Sequence, residues 1–341
     1  MTIQFIEEST LTAMADAIRA GTGKTGTMKP SNMPTEIAAI KTYSREGKYV
    51  WSVQSGNGTT VDANAETKYV ASNDKNAYPS DGWVGHDYFK LVKGGLKIVT
   101  WADGTDEEIA AMVDAADKGE INLADYWNVG DERTVSLSAM AATGVGESHA
   151  AQTATLVLMD KTCTGFTFAT ATSGGKTKPS FIVGLKNSLA EAGYMNEART
   201  NANGWSGSER RTWCNNVFRM AIPSGLRGIF KQFKWKQGQG GRNSSGLLET
   251  TDYFGFAPEK AVFGSNTYSF ADEAALYAQW AWYKTAANRI KKMGESGSAR
   301  NWWECSPGSG INGIFCDVDS GGYASSYAAN GARGLAPFGC I

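Results

Sequence analysis

The chain has 341 residues, which is enough for two or three domains and at least one sizeable hydrophobic core. Its 33 basic and 34 acidic side chains leave a net charge of −1, whereas proteins that bind nucleic acid or anionic membranes carry a basic excess. The sequence contains no apolar run long enough to span a membrane, and its N-terminus lacks the pattern of a secretion signal. We therefore expect no nucleic-acid partner, no membrane insertion and synthesis in the cytoplasm.

Residues 1–45 predict two short helices. Leu11, Met14 and Ile18 recur at helical spacing before Gly21, and a second helix is expected after Pro34. This segment is too small to bury a core of its own. We expect it to attach the chain to another protein or to copies of itself.

Residues 46–95 predict a small β module. Strand-like runs alternate with segments rich in glycine, asparagine and serine. The predicted strands are Tyr49–Val53, Lys68–Ala71 and Asp87–Leu91.

Residues 96–341 predict a larger domain in which strands and helices are interspersed. After a strand-like run at Leu96–Trp101, Thr105 and Glu108 form a capping box for a helix that ends before Gly119. The expected buried positions of that helix are Ile109, Met112, Val113 and Ala116. Further predicted strands are Thr134–Leu137, Thr155–Leu158 and Phe230–Lys236.

A second capping box, Ser206 with Glu209, predicts a helix that ends before Pro223. Its expected buried positions are Trp213, Val217 and Met220. The run Phe230–Lys236 alternates basic and aromatic residues, and an edge strand protected by lysines explains it better than a nucleic-acid platform. The order of these elements lacks a βαβ rhythm, so the expected fold class is α+β.

The sequence offers little that predicts catalysis or metal binding. His86 and His149 lie far apart, and neither has a second histidine at the spacing of a metal site. Gly23–Thr25 and Thr143–Glu147 lack the full pattern of a phosphate-binding loop. The five cysteines predict buried free thiols, although a Cys305–Cys316 bridge is plausible if the protein works outside a cell. We assign no catalytic residue, no metal ligand and no cofactor.

Residues 305–341 differ in composition from the rest of the chain. Lysine, glutamine, glutamate, methionine and tryptophan are all absent from this tail. Every residue type that remains has a codon ending in a pyrimidine, and the five missing types have none. Asparagine codons randomised at their adenines would give this bias, although a glycine- and serine-rich surface region also explains part of it.

The tail resembles the variable region of target proteins of diversity-generating retroelements, from phages of Gram-positive gut bacteria. The motifs that carry the resemblance are Trp302-Trp303-x-x-Ser306-Pro307, Phe315-Cys316 and Gly334-Leu335-Ala336-Pro337-Phe338. Upstream segments resemble the same family, namely Tyr126–Asp131, Gly204-Trp205, Arg211–Asn215 and Val262–Gly264. Shorter segments, Leu11–Arg19 and Val70–Pro79, resemble phage tail proteins. One departure is Cys305, where relatives carry arginine.

This resemblance implies a C-type-lectin fold over residues 96–341, with a variable region at about 302–341. It implies a tail-tip receptor-binding protein of a virion, assembled in the host cytoplasm. Its partners would be a bacterial surface receptor (protein or glycan), phage tail proteins and other copies of the chain, in a homo-oligomer such as a trimer. The sugar-and-calcium tripeptides of calcium-dependent lectins are absent.

Small, polar and tyrosine residues between the motifs are typical of adaptable binding loops, held by a scaffold of Trp302, Trp303, Phe315 and Phe338. The predicted contact positions are Cys305, Ile311, Asn312, Gly313, Ile314, Asp317, Asp319, Tyr323, Ser325, Ser326, Tyr327, Asn330 and Arg333. An alternative is an enzyme on the related formylglycine-generating-enzyme fold, or a cell-wall hydrolase. The scarcity of histidine and the lack of a nucleophile–base pair disfavour that alternative.

Overall fold

A computed structural model describes the backbone of three strands before residue 96, and then residues 96–142, Val145 and residues 148–341. The chain divides into two compact units, Met1–Ile98 and Val99–Ile341. The predicted helices of residues 1–45, the Gly23–Thr25 turn and His86 lie outside the described residues.

The described part of the first unit is an antiparallel sheet. Its strands are β1 (Tyr49–Gln54), β2 (Tyr69–Ser72) and β3 (Tyr88–Lys93), in the order β2-β1-β3. The three strands predicted here are confirmed, with ends that shift by one or two residues.

The second unit combines short helices with many strands, which confirms the α+β class. Its strands are β4 (Glu132–Leu137), β5 (Gln152–Asp160), β6 (Thr167–Phe168), β7 (Ile182–Leu185), β8 (Ala192–Gly193), β9 (Phe233–Gly238), β10 (Leu247–Asp252), β11 (Phe254–Gly255), β12 (Lys291–Lys292), β13 (Ala299–Arg300), β14 (Trp302–Pro307), β15 (Ile314–Val318), β16 (Ala324–Ala328), β17 (Arg333–Gly334) and β18 (Phe338–Cys340). Its α-helices are α1 (Asp106–Asp117), α2 (Glu209–Trp213), α3 (Arg219–Ala221), α4 (Ser224–Arg227), α5 (Glu259–Phe263) and α6 (Ala271–Ala274). One π-helix (Cys214–Phe218) and three 3₁₀ turns (Leu123–Asp125, Ala281–Lys284 and Ala286–Arg289) complete the set.

These strands form two five-stranded sheets, one of three strands and one pair, β12-β13. The first large sheet has the order β11-β18-β7-β5-β4, and the three-stranded sheet has the order β10-β9-β6. The second large sheet, β16-β15-β14-β17-β8, holds most of the tail. The tail therefore contributes to both large sheets, because its last strand, β18, pairs with β7 and β11.

The sequence predicts helix α1 well because its signals are local. The Thr105 side chain accepts a hydrogen bond from the Glu108 backbone N–H, and the Glu108 carboxylate accepts one from the Thr105 N–H at 3.0 Å. The four apolar positions predicted to face the core are buried. Glu107 and Glu108 lie in the first turn, where the helix dipole favours carboxylates.

The predicted strand at Leu96–Trp101 is wrong. Its main-chain groups bond to side chains instead of a neighbouring strand: the indole N–H of Trp127 donates to the Val99 carbonyl at 2.9 Å. The carboxylate of Asp103 accepts from the Thr100 hydroxyl at 2.8 Å, which closes a turn. A strand-like composition gives a strand only where another strand lies beside it.

The predicted start of the second helix is wrong, and its buried face is only partly as predicted, with Trp213 buried and Val217 half-buried. Ser208, not Ser206, caps α2, because its hydroxyl accepts the Arg211 backbone N–H at 3.1 Å. The π-helix that follows adds a residue to the turn and rotates the later side chains. As a result Phe218 is buried in place of Met220, which is 54% exposed.

The lysine-rich run Phe230–Lys236 is not an edge strand. It forms most of β9, which pairs with β10 on one side and with β6 on the other. Phe233 and Trp235 are buried whereas Lys234 and Lys236 are exposed, so the predicted amphipathic alternation is confirmed.

Aromatic rings fill the centre of the second unit. The ring of Phe338 lies 4.9 Å from Trp280 and 5.5–5.6 Å from Phe166, Phe233 and Trp235, centroid to centroid. These contacts join the last strand of the chain to segments distant from it in sequence. Among the described helices none has the length and apolar content needed to cross a bilayer.

Candidate functional site

A buried frame supports the tail strands. The Trp302 ring stacks on Tyr283 at 5.9 Å and its indole N–H donates to the Arg289 carbonyl at 2.8 Å. The indole N–H of Trp303 donates to the Gly193 carbonyl at 2.8 Å. The four residues predicted as a scaffold are all at most 1% exposed, and burying such side chains stabilises the fold by about 1.5–3 kcal/mol each.

Asn201 holds the loop between β14 and β15. Its side-chain amide donates to the carbonyls of Ile311 (2.9 Å) and Ile314 (2.8 Å), and its side-chain oxygen accepts the Gly313 N–H at 3.1 Å. The loop thereby presents Ile311 and Asn312 to solvent. Sequence reasoning missed Asn201, since its partners in this loop lie more than a hundred residues away.

A second fixed turn joins β15 to β16. The carboxylate of Asp319 accepts the backbone N–H groups of Gly321 (2.8 Å) and Tyr323 (2.9 Å). Gly322 has φ +85°, and a Cβ there would lie 3.1 Å from the Ile290 side chain. The turn therefore requires glycine and presents Tyr323, which is 72% exposed.

Between these two turns, the Arg333 side chain contacts both Asp317 and Tyr327. Arg333 donates from Nε to the Asp317 carboxylate at 2.7 Å, and its guanidinium lies 3.4 Å from the centre of the Tyr327 ring. Ser325 is the β16 residue directly opposite Asp317. The second oxygen of Asp317 is buried and has no hydrogen-bond partner among the described residues.

Ten of the thirteen predicted contact positions reach the surface. The exposed ones are Ile311, Asn312, Tyr323, Tyr327 and Asn330, and the half-buried ones are Ile314, Asp319, Ser325, Ser326 and Arg333. They do not form one patch. They follow the loop before β15, the turn after it and strand β16, and alternation along β16 directs Ser326 to the opposite face from Ser325.

Three predicted contact positions are buried, so the prediction of direct contact is wrong for them. Cys305 lies within β14 and is wholly inaccessible, and Asp317 faces Arg333 inside the sheet. Gly313 has φ +85°, and a Cβ there would lie 2.8 Å from the Arg199 carbonyl oxygen. The backbone conformation and the close packing therefore require glycine at position 313.

Two exposed residues outside the tail extend its surface. The Tyr268 carbonyl accepts the Ser309 N–H at 2.8 Å beside the Ile311 loop, and Tyr268 is 39% exposed. Ile290 packs against the turn at Gly322 and is 41% exposed. Neither residue lies in a motif, and nothing in the sequence singled them out.

Buried acids and thiols lie beneath the tail sheet. Burial raises the pKa of Glu304 well above its usual value, and the carboxylates of Glu259, Asp317 and Glu273 raise it further. Both oxygens of Glu304 lack a hydrogen-bond partner among the described residues. Burial raises the pKa of Glu273 to about 7, although Gly238 N–H donates to its carboxylate at 2.7 Å.

The cysteines confirm the prediction of buried free thiols, and Cys305 and Cys316 form no bridge. Burial raises the pKa of both thiols well above the usual range, so neither is a thiolate at neutral pH. His149 is buried and hydrogen-bonded, with its Nδ1 at 3.1 Å from the Glu191 carboxylate. Within the part of the chain that the structure describes, no three His, Cys, Asp or Glu side chains are placed to hold a metal ion.

Residues 181–341 match a protein family described as a domain of unknown function, DUF6273. The match includes the whole tail and the segment that carries Asn201. No curated protein and no solved structure matches the chain.

Proposed function

We propose that the chain is a tail-tip receptor-binding (adhesion) protein of a phage of Gram-positive gut bacteria, and that its tail carries a diversified surface for a bacterial receptor. Residues 96–341 form the ligand-binding domain, with a C-type-lectin-like fold. Residues 1–45 attach it to phage tail proteins and bring copies together, as a trimer. The protein acts on the virion after assembly in the host cytoplasm.

The observation that carries this proposal is the distribution of exposed apolar side chains. Six large ones are exposed in the described residues: Met220, Tyr268, Ile290, Ile311, Tyr323 and Tyr327. Three belong to the tail and two more lie against its turns. Five of the six therefore lie in the tail or against its turns, and this concentration supports a role of the tail in binding a partner.

The separation between frame and surface supports the same proposal. The tryptophans of β14 are wholly buried, whereas Ile311 and Tyr323 project from turns that Asn201 and Asp319 hold by hydrogen bonds to the main chain. A side chain on such a turn changes without loss of the packing beneath it. Tyrosine contributes a large contact area at a low entropic cost, and serine and asparagine contribute adaptable hydrogen bonds. Copies on one virion would add avidity to individually weak contacts.

A capped helix, antiparallel sheets of short strands and long irregular connections, as in the second unit, are compatible with a C-type-lectin-like domain. A nearby reverse-transcriptase gene, with a near-copy of the 3′ end that differs at adenines, would support the retroelement origin.

The test is binding of the purified protein to bacteria. A variant with Ile311, Asn312, Tyr323 and Tyr327 all changed to alanine is compared with the parent on a panel of Gram-positive gut strains, by flow cytometry of labelled protein. We expect the parent to bind at least one strain and the variant to lose about tenfold or more in affinity, with a change in Tm of only a few degrees.

Met220→Ala is the matched control, because Met220 and Ile311 are both 54% exposed and Met220 lies outside the tail. It should bind like the parent. The proposal would be refuted if the quadruple variant bound the bacteria as tightly as the parent, or if the parent bound no strain.

A further inference from the structure

The outer edge of the tail sheet is strand β16, which has a neighbouring strand on one side only among the described residues. Strand β16 is the last in the order β16-β15-β14-β17-β8, and among the strands that the structure describes it pairs with β15 alone. Two main-chain bonds flank this ladder: Ala329 N–H donates to Gly313 at 3.0 Å, and Asp319 N–H donates to Tyr323 at 2.9 Å.

These two bonds determine which main-chain groups face outward. In an antiparallel ladder, hydrogen-bonded pairs alternate with non-bonded pairs. Since 313/329 and 319/323 are bonded, the pairs at Ser325 and Tyr327 bond to β15 and the groups of Ala324, Ser326 and Ala328 face away from it. The Ala328 carbonyl accepts the Gly331 N–H, whereas the other outward groups have no main-chain partner among the described residues.

This edge lacks the features that prevent strand pairing. Proteins usually protect an exposed edge with charged residues, proline or a bulge. Within the second unit the other long edge strands, β4 and β10, carry charged residues, whereas the sequence of β16 is Ala-Ser-Ser-Tyr-Ala and its register with β15 is unbroken. Its outward-facing residues are also small, which leaves room for a second backbone.

From this edge we infer that β16 binds an extended peptide segment of the receptor as an added strand. The inference rests on the proposed function and specifies its ligand as a polypeptide. Outward donors and acceptors recur at every second residue, and an extended backbone has the same repeat. Tyr323, Ser325 and Tyr327 occupy the alternate positions, so the main chain supplies affinity that does not depend on side chains while these residues determine specificity.

Ser326→Pro is the direct test. Proline removes the outward N–H of residue 326, and the bonds that Ser325 and Tyr327 make to β15 remain. Ser326→Ala is the matched control because it retains the N–H and removes only a hydroxyl, which lies on the face of the sheet opposite Ser325 and Tyr327 and is therefore no contact for the added strand. The probe is a displayed library of linear peptides of random sequence, selected on the parent protein.

The selected peptides should bind the parent and Ser326→Ala equally, and Ser326→Pro about tenfold more weakly or worse. N-methylation of a selected peptide should abolish binding at alternate residues only. Amide hydrogen exchange gives an independent measurement if Ser326→Pro does not fold: the Ala324, Ser326 and Ala328 amides should exchange fast in the free protein and become protected when the peptide is bound.

Failure to select any linear peptide, or undiminished binding to Ser326→Pro, would overturn the inference. So would a concentration-dependent dimer that Ser326→Pro dissociates, since a second copy would then be the partner of the edge. If Ser326→Pro still binds the bacteria that the parent binds, the receptor-binding proposal stands and the strand-addition inference fails.

Discussion

The Arg333→Ala variant tests whether Arg333, a predicted contact position, also stabilises the fold through its ion pair with Asp317. Asp317 is wholly buried, and among the described residues its carboxylate contacts only the Arg333 guanidinium at 2.7 Å and, at a longer 3.5 Å, the Asn301 amide. The side chain of Arg333 is 18% exposed and also lies over the Tyr327 ring.

The expected loss of stability in Arg333→Ala comes mainly from the carboxylate that remains. Removing one partner of a buried ion pair leaves an uncompensated charge and costs about 3–5 kcal/mol. The lost cation–π contact adds about 0.5–1 kcal/mol, since Tyr327 is partly exposed. Removing Asp317 as well eliminates the unpaired charge, so Asp317→Ala/Arg333→Ala should be about 1–2 kcal/mol more stable than Arg333→Ala alone.

The measurement is a double-mutant cycle by urea denaturation, with Arg242→Ala as the control. Arg242 is exposed, and its replacement should change the free energy of unfolding by less than about 0.5 kcal/mol. Arg333→Ala that costs under about 1 kcal/mol, or a double variant as unstable as the single one, would refute the argument that the buried charge dominates.

Two buried ionisable groups give opposite predictions for the pH dependence of stability. Burial lowers the pKa of Lys291 to about 7. Between about pH 7 and 10.5 the unfolded chain therefore binds more protons than the folded chain, and the free energy of unfolding should rise with pH. Lys291→Met should remove this rise. Because the pKa of Glu304 is raised in the folded chain, the folded chain binds more protons than the unfolded chain above about pH 4.5. The free energy of unfolding should therefore fall as the pH rises above that value. Glu304→Met should therefore gain about 1–3 kcal/mol over the parent at about pH 8 and little at about pH 5. Urea denaturation across this range checks both, and slopes equal to those of the parent would contradict them.

The parts of the fold that the sequence predicts correctly depend on local signals. Helix α1 is one example, because Thr105 and Glu108 cap it within a single turn. Strands β1 to β5 also agree with the predicted strands, because their strand-forming residues and flanking turns are visible over a few residues. The burial of Trp302 and Trp303 follows from their size and apolar character.

The errors arise where a distant contact or an irregular turn decides the structure. The π-helix that exposes Met220 has no signal in the helical spacing that predicted its burial. The pairing of Asp317 with Arg333 requires the register of three strands, and Asn201 contacts a loop that lies more than a hundred residues later in the chain. Composition separates the tail from the rest of the chain but cannot distinguish a residue that faces solvent from one that faces the sheet.

The structure separates the tail positions by what a change of residue costs. Ile311 and Tyr323 lose only their own surface contacts when replaced, because main-chain bonds determine the shape of their turns. Gly313 is constrained by its backbone conformation. Asp317 and Arg333 are constrained by each other, because either residue alone leaves a buried charge or an unanchored guanidinium. Variation that preserves folding should therefore be independent at the turns and coupled at this pair. The specificity of the surface would then come from its two turns and from Tyr327 on β16.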